Sequence, residues 1–414
     1  MARLFSSLCA LLGCCSLCAC SSNDKPNNGT AGSSGTGGGS PGTGGASPVA
    51  DATGEQPSSP SSDASTPGDA AFPLPDVSVS GTGPHWVGRV DLSDPTAPKF
   101  AWSASGFAAI VSGPTISVKL KSVGSGATPV FFQPVIDGVA GDRFSVVGEQ
   151  TVQLASGRPD ADHLVELYRE TEGRYGSTVF EGFVDGTLKG SPPASGRLIE
   201  IIGDSISAGY GDLGVEQHPN YGPDPDGGCR FSTQTESAYA TYGALTARAL
   251  NADVSIVAVS GWGIYRDNGN STANVLPNVY GYTLGLATTP TWSFQPEPQA
   301  VVINLGTNDF ATGDPGETQF EGAYTAFLAT VRGKYPNATI FCTVGPLLFG
   351  TGLTSAIRYI QAVVANANDP KVKYLDFGQQ NTTLGTGCDY HPNTTEQQAM
   401  ANVLGPAIRS AVGW

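Results

Sequence analysis

The chain is poor in charge, and poorest in positive charge: 14% of its 414 residues are Asp, Glu, Lys or Arg, with 21 Lys and Arg against 36 Asp and Glu. The formal net charge of −15 leaves no Lys/Arg field, which argues against nucleic acid or an anionic membrane surface as partner. Neutral partners fit better. Histidine is scarce, with only His85, His163, His218 and His391, and the cysteines are scattered, so no group has metal-ligand spacing. Neither a metal nor a cofactor is expected. After the leader no segment is long and apolar enough to cross a bilayer. The G-x-S-x-G nucleophile elbow is also missing around Ser205, because Ser207 stands where its second glycine would be, which argues against an ordinary α/β-hydrolase.

What is present begins with "MARLFSSLCALLGCCSLCAC": one positive charge at Arg3, then a short apolar stretch that reads as an export signal. Its end, "LCAC", resembles a bacterial lipobox, with Leu17, two small residues, and Cys20 as the first mature residue and lipid acceptor. The alternative is a plain signal peptide cleaved nearby. Residues 21–78 are Gly, Ser, Thr, Pro and Ala with almost no large apolar side chains, and read as a disordered tether spanning on the order of 40 Å. The expected localisation is the bacterial cell envelope, at the outer membrane or the cell surface. Five of the eight cysteines lie in the leader, leaving Cys229, Cys342 and Cys388. Three thiols cannot all pair internally. Cys342, in "ATIFCTVG", reads as a buried core thiol; Cys229 and Cys388 lie in loops, and a bridge between them is expected.

Residues 79–195 show short runs of period-2 alternation. In "TISVKLK", Ile116, Val118 and Leu120 share one face while Thr115, Ser117, Lys119 and Lys121 share the other. Similar runs follow with turn residues between them, predicting a small antiparallel, jelly-roll-like β-sandwich. From 196 to 414 strands alternate with helical stretches. Strands are predicted at 198–203, 252–259, 299–305, 338–344 and 371–376, with helices near 236–250, 317–335, 354–367 and 394–412. That order gives an α/β fold: a five-stranded parallel, doubly wound sheet preceded by the sandwich.

Loops after parallel strands border the ligand crevice, so their composition carries the functional argument. In "IEIIGDSISAGYG", Gly203 frees the backbone for a turn and Ser205 follows the strand end, either as a turn residue or as a nucleophile. A serine nucleophile needs a base, and only His391 follows the last strand and precedes the final helix. Asp389, two residues upstream, can curl back to orient that imidazole; a backbone carbonyl could substitute. The amides of Ser205 and Gly261 and the side chain of Asn308 are the natural oxyanion donors, although Asn308 in "GTND" could merely shape a turn. Trp262, Tyr265, Tyr210 and Tyr390 lie beside these residues and could stack on a sugar or pack in the core. Arg266 and Asp267 could bind hydroxyls or one another.

"GDSIS" with Ser205, Gly261 after the second strand, "GTND" with Asn308, and "DYHP" with His391 resemble the four blocks of the SGNH (GDSL-type) hydrolases. The β-domain, "SGWGIYRDN" and "GCDYHPN" are similar to carbohydrate esterase family 2, over roughly residues 84–414. Many SGNH enzymes place the acid three residues before the histidine, where this chain has Cys388; family 2 enzymes resemble this chain in placing it two before. The resemblance implies a metal-independent serine esterase acting on acetylated polysaccharide such as xylan or glucomannan, expected to be a monomer. Two alternatives stand beside it: an SGNH lipase or thioesterase, and a carbohydrate-binding lipoprotein whose β-domain does the work.

Overall fold

The period-2 runs do form strands, and a single one organises the first half. The strand Gly106–Val123 pairs antiparallel with Asp162–Arg169 along its first part, with Glu149–Ala155 along its second, and with Ser177–Gly190 on its other edge. Partners that change along one long strand make the ten-stranded sheet curl over its own apolar face, so the sandwich layers belong to one sheet. Ile116, Val118 and Leu120 all lie in its core with Phe107, Phe132 and Phe180. Its first stretch, "GFAAIVSGP", is strand as well, although its near-continuous burial hides the alternation. The computed structural model describes residues 78–214 and 229–414. Cys20, the leader, the tether up to residue 77 and His218 lie outside the described residues.

The second half is a five-stranded parallel sheet in the order Asp253–Ala258, Leu198–Gly203, Ala300–Asn304, Thr339–Thr343, Val372–Tyr374. Successive residues face opposite cores. Ile199 and Ile201 pack with α2 (Tyr242–Ala249) and α5 (Thr394–Val412), whereas Ile202, Val301 and Ile303 pack with α3 (Glu317–Lys334) and α4 (Gly350–Ala367). Helix α4 begins at Gly350 rather than near 354; Gly350 and Gly352 lower the helical propensity of that first turn and so hid it from the sequence pattern. The stretch near 236–250 is broken at Thr241 into a 3₁₀ turn and α2. Strand order reverses at Leu198–Gly203, which puts the crevice at the carboxyl ends of that strand and Ala300–Asn304.

Buried polar contacts join the two halves, and all the described residues fall in one compact unit. Arg89 of the β-domain, fully buried, donates to Glu200 in mid-strand at 3.3 Å and to the carbonyl of Tyr282 at 3.1 Å. Beyond the strand Asp162–Arg169, the segment Glu170–Arg174 reaches the hydrolase loops. Glu170 accepts from Ser237 Oγ at 2.8 Å and from the Tyr239 N–H at 2.9 Å, and Arg143 donates to the carbonyl of Glu236 at 2.6 Å.

Candidate active site

Ser205 opens the four-residue helix α1 (Ser205–Ala208), immediately after the strand Leu198–Gly203. Asp204 caps it, accepting the Ile206 N–H at 3.1 Å. Gly203 plays a different part from the one its turn position suggested. Its φ is not positive, and a Cβ there would overlap the Ser207 side chain, so the position demands space rather than backbone freedom.

His391 sits between two fixed points. Behind it, the Cys229–Cys388 disulfide pins the turn Cys388–Tyr390; ahead of it, Asn393 caps α5 by accepting the N–H groups of Thr395 and Glu396, each at 3.0 Å. The expected bridge is therefore present, and Cys342 is a buried free thiol whose pKa burial pushes up to about 12. Within the turn, Asp389 and Tyr390 adopt left-handed backbone angles, φ 50° and 62°. That path aims the Asp389 carbonyl at the imidazole.

The result is a direct pair: Ser205 Oγ lies 2.8 Å from His391 Nε2, and His391 Nδ1 lies 3.1 Å from the Asp389 carbonyl oxygen. A carbonyl can only accept, so Nδ1 carries the proton and Nε2 is bare to receive one from Ser205. The Asp389 side chain does not orient the histidine. Its Oδ2 instead accepts from Tyr210 OH at 2.8 Å and from the Phe231 N–H at 3.0 Å. Reaching those donors turns the carboxylate away from the ring, and the backbone carbonyl takes its place. Tyr210 in turn lies against the imidazole, ring centroids 4.3 Å apart, and stacks on Phe231 at 4.0 Å. Burial lowers the His391 pKa from the usual 6.5 to about 4 despite opposing help from Asp389. The base is thus neutral at neutral pH.

Gly261 sits after the strand Asp253–Ala258 with φ 82°, a left-handed angle that favours glycine. The N–H groups of Ser205 and Gly261 make no hydrogen bond to another described residue. Asn308 Nδ2 donates to Asp204 Oδ2 at 3.2 Å and to the Trp262 carbonyl at 3.0 Å, tying "GDS" to "GTND" and to the Gly261 loop. Burial, with Asp309 nearby, raises Asp204 to about 7. Asp309 itself accepts the N–H groups of Ile264, Tyr265 and Arg266 at 2.7–3.0 Å, so it builds the loop after Gly261.

A cleft of about 400 Å³ opens over the pair. Ser205, His391, Tyr210, Gly261, Trp262 and Asn308 line it, as do Arg174, Ser260, Asp267, Asn268 and Asn274. Tyr265 and Tyr390 are not among its lining residues: Tyr265 packs against the hydrophobic core, and Tyr390 is 54% exposed. Arg266 and Asp267 do not pair with one another. Arg266 donates to the carbonyls of Asp309 and Gly313 and to Asn270, while Asp267 accepts from Gly269, Ser271 and Asn274. Sequence reasoning singled out neither Asn268 nor Asn274, whose signal was the polar run "RDNGNSTAN" after the second parallel strand; Arg174, from the β-domain, gave no signal at all. Among the described residues no group of three or more His, Cys, Asp or Glu side chains is placed to hold a metal ion.

A parallel sheet with a Ser–His pair and amide donors at its switch point is the arrangement of an SGNH hydrolase. The family described as Carbohydrate esterase 2 N-terminal matches residues 86–193, and the GDSL-like Lipase/Acylhydrolase family matches residues 201–399. The structure of a family two carbohydrate esterase from Clostridium thermocellum, solved in complex with cellohexaose, is 38% identical with a TM-score of 0.74, covering 80% of this chain and 100% of that one. The chain belongs to carbohydrate esterase family 2. Cellulase/esterase CelE of Acetivibrio thermocellus is 39% identical over 334 residues, 79% of this chain; the chain spans 39% of the length of that larger protein. An acetylxylan esterase / glucomannan deacetylase of Cellvibrio japonicus is 27% identical over 347 residues, covering 81% of this chain and 91% of that one.

Proposed function

We propose that the protein is a serine carbohydrate acetylesterase that removes O-acetyl groups from a plant polysaccharide such as acetylated xylan or glucomannan. The observation that carries this reading is the 2.8 Å contact between Ser205 Oγ and the bare nitrogen of His391, at the floor of an open polar cleft. Ser205 Oγ attacks the acetyl carbonyl while its proton passes to His391 Nε2. The N–H groups of Ser205 and Gly261 receive the oxyanion, and Asn308 joins by sharing an amide hydrogen now held by the Trp262 carbonyl. The sugar C–O–acetyl bond then breaks at the acyl carbon, and the sugar oxygen leaves with the proton from His391. Water repeats the sequence on acetyl-Ser205 and releases acetate.

Among the described residues lining the cleft none is aliphatic, which favours a short acyl group over the long chain of a lipase. Trp262 is the aromatic side chain of the cleft placed to meet a sugar, because Phe231 and His391 cover the two faces of Tyr210. The relative solved with cellohexaose supports a cleft that takes an extended polysaccharide chain. The chain is held at the cell envelope by a lipid on Cys20, with residues 21–78 as tether; the composition of the leader supports this, and Cys20→Ala should move the protein from the membrane to the soluble fraction. The reading is tested by acetate release from acetylated xylan and glucomannan. Ser205→Ala should lower it by about 10³-fold or more. Equal release by both proteins would exclude the mechanism, and faster cleavage of octanoyl than acetyl esters would favour the lipase.

A further inference from the structure

Arg174 and Glu172 come from the β-domain, yet both act on the backbone of one active-site residue, Ser260, Glu172 on the peptide before it and Arg174 on the peptide after it. The Glu172 Oε2 accepts the Ser260 N–H at 2.8 Å, and the Arg174 guanidinium donates to the Ser260 carbonyl. Glu172 and Arg174 are themselves paired at 3.2 Å, so the two contacts form a closed clamp around Ser260. Glu172 is buried, and Arg174 is about one third exposed where it lines the cleft. The Ser260 carbonyl and the Gly261 N–H belong to the same peptide unit. A cationic donor on that carbonyl draws electron density from the amide nitrogen and makes its hydrogen a better donor.

We infer that Arg174 is a positioning residue of the oxyanion site: held by Glu172, it fixes and polarises the Ser260–Gly261 peptide so that the Gly261 N–H meets the negative oxygen. This rests on the serine-esterase reading above. It gives the β-domain a share in catalysis, since the residue that tunes the donor lies 86 positions away from Ser260, in the other half of the chain. The gain falls only where charge develops, so its loss belongs in kcat rather than KM.

The test uses the full chain with a soluble acetyl ester, comparing wild type, Arg174→Met, Arg174→Lys and Ser205→Ala, with melting temperature as a fold control. Arg174→Met should lower kcat by about tenfold, less than the 10²–10³ of losing a donor outright, with KM within about twofold of wild type. Arg174→Lys, which keeps a cationic donor, should lie between them. Labelling of Ser205 by an organophosphate, whose phosphoryl oxygen enters the same donor site, should slow in the same order. A kcat near wild type in Arg174→Met, or a loss carried by KM alone, overturns the inference. If Arg174→Met does not fold, Arg174→Lys decides in the same way. Retained activity in Ser205→Ala would instead bring down the serine-esterase reading itself.

Discussion

His391 carries two consequences that belong to single residues. Its Nδ1–H donates to a neutral carbonyl, so the partner fixes the tautomer and ring angle without supplying the negative charge of a catalytic aspartate. Asp389→Asn retains that carbonyl and should keep kcat within about tenfold of wild type, whereas removing the carboxylate of a true Ser–His–Asp triad costs about 10⁴. Steady-state kinetics decide it; a 10⁴-fold loss would mean that the carboxylate swings onto the ring during turnover. The second consequence is pH dependence. A base works only while neutral, and burial lowers the His391 pKa to about 4, so the acid limb of kcat/KM should fall well below 6.5, toward 4. An inflection at 6.5 or above would show the imidazole to be solvated in the free enzyme.

The turn between the fifth strand and α5 turns a loop into a catalytic element. Cys388 is bonded to Cys229, the Asp389 N–H donates to the Cys229 carbonyl at 2.9 Å, and the next two residues take left-handed angles. Closing a loop of sequence separation 159 stabilises the fold by about 5 kcal/mol in the chain-entropy account. Cys388→Ser should therefore lower both the melting temperature and kcat, with the loss in kcat persisting well below the new melting temperature; an unchanged kcat there would show that the turn holds without the bridge. Period and order sufficed for the parallel strands and for α3 and α5, because each buries alternate or helically spaced apolar residues against a continuous core. Ser205, His391, Gly261 and Asn308 were legible because strand ends in a doubly wound sheet converge. The choice of carbonyl over carboxylate was not, because it follows from two left-handed residues and from the pull of Tyr210 and Phe231 on the Asp389 side chain. Nor was Arg174, whose partner is a backbone oxygen in a distant loop and leaves no pattern in its own surroundings.

Across the whole molecule, the joint between the halves is built from buried carboxylates, and their cost appears in the pH dependence of stability. Burial raises Glu170, Glu172, Asp212 and Glu236 at this joint, and raises Asp309 to about 6 and Asp204 to about 7 at the site. Folded protein thus binds these protons more tightly than unfolded chain, and stability falls as pH rises from the carboxylate range near 4 through 7. His391, lowered, works the other way below 6.5; His85, raised by its hydrogen bond to Asp253, reinforces the loss above it. Exposed acids lowered by neighbours, such as Asp94 and Glu149, oppose the trend but are screened by solvent. The melting temperature should be higher at pH 5 than at pH 8, and the reverse order would show that these carboxyls are ionised and satisfied in the fold. Catalysis depends on one hydroxyl being activated where the two halves of the site meet. Peptide mapping after inactivation by an organophosphate ester tests this most directly: one adduct on Ser205, formed in step with loss of esterase activity and absent from His391→Ala, is the expected result, whereas an adduct elsewhere, or activity that survives full labelling of Ser205, would contradict it.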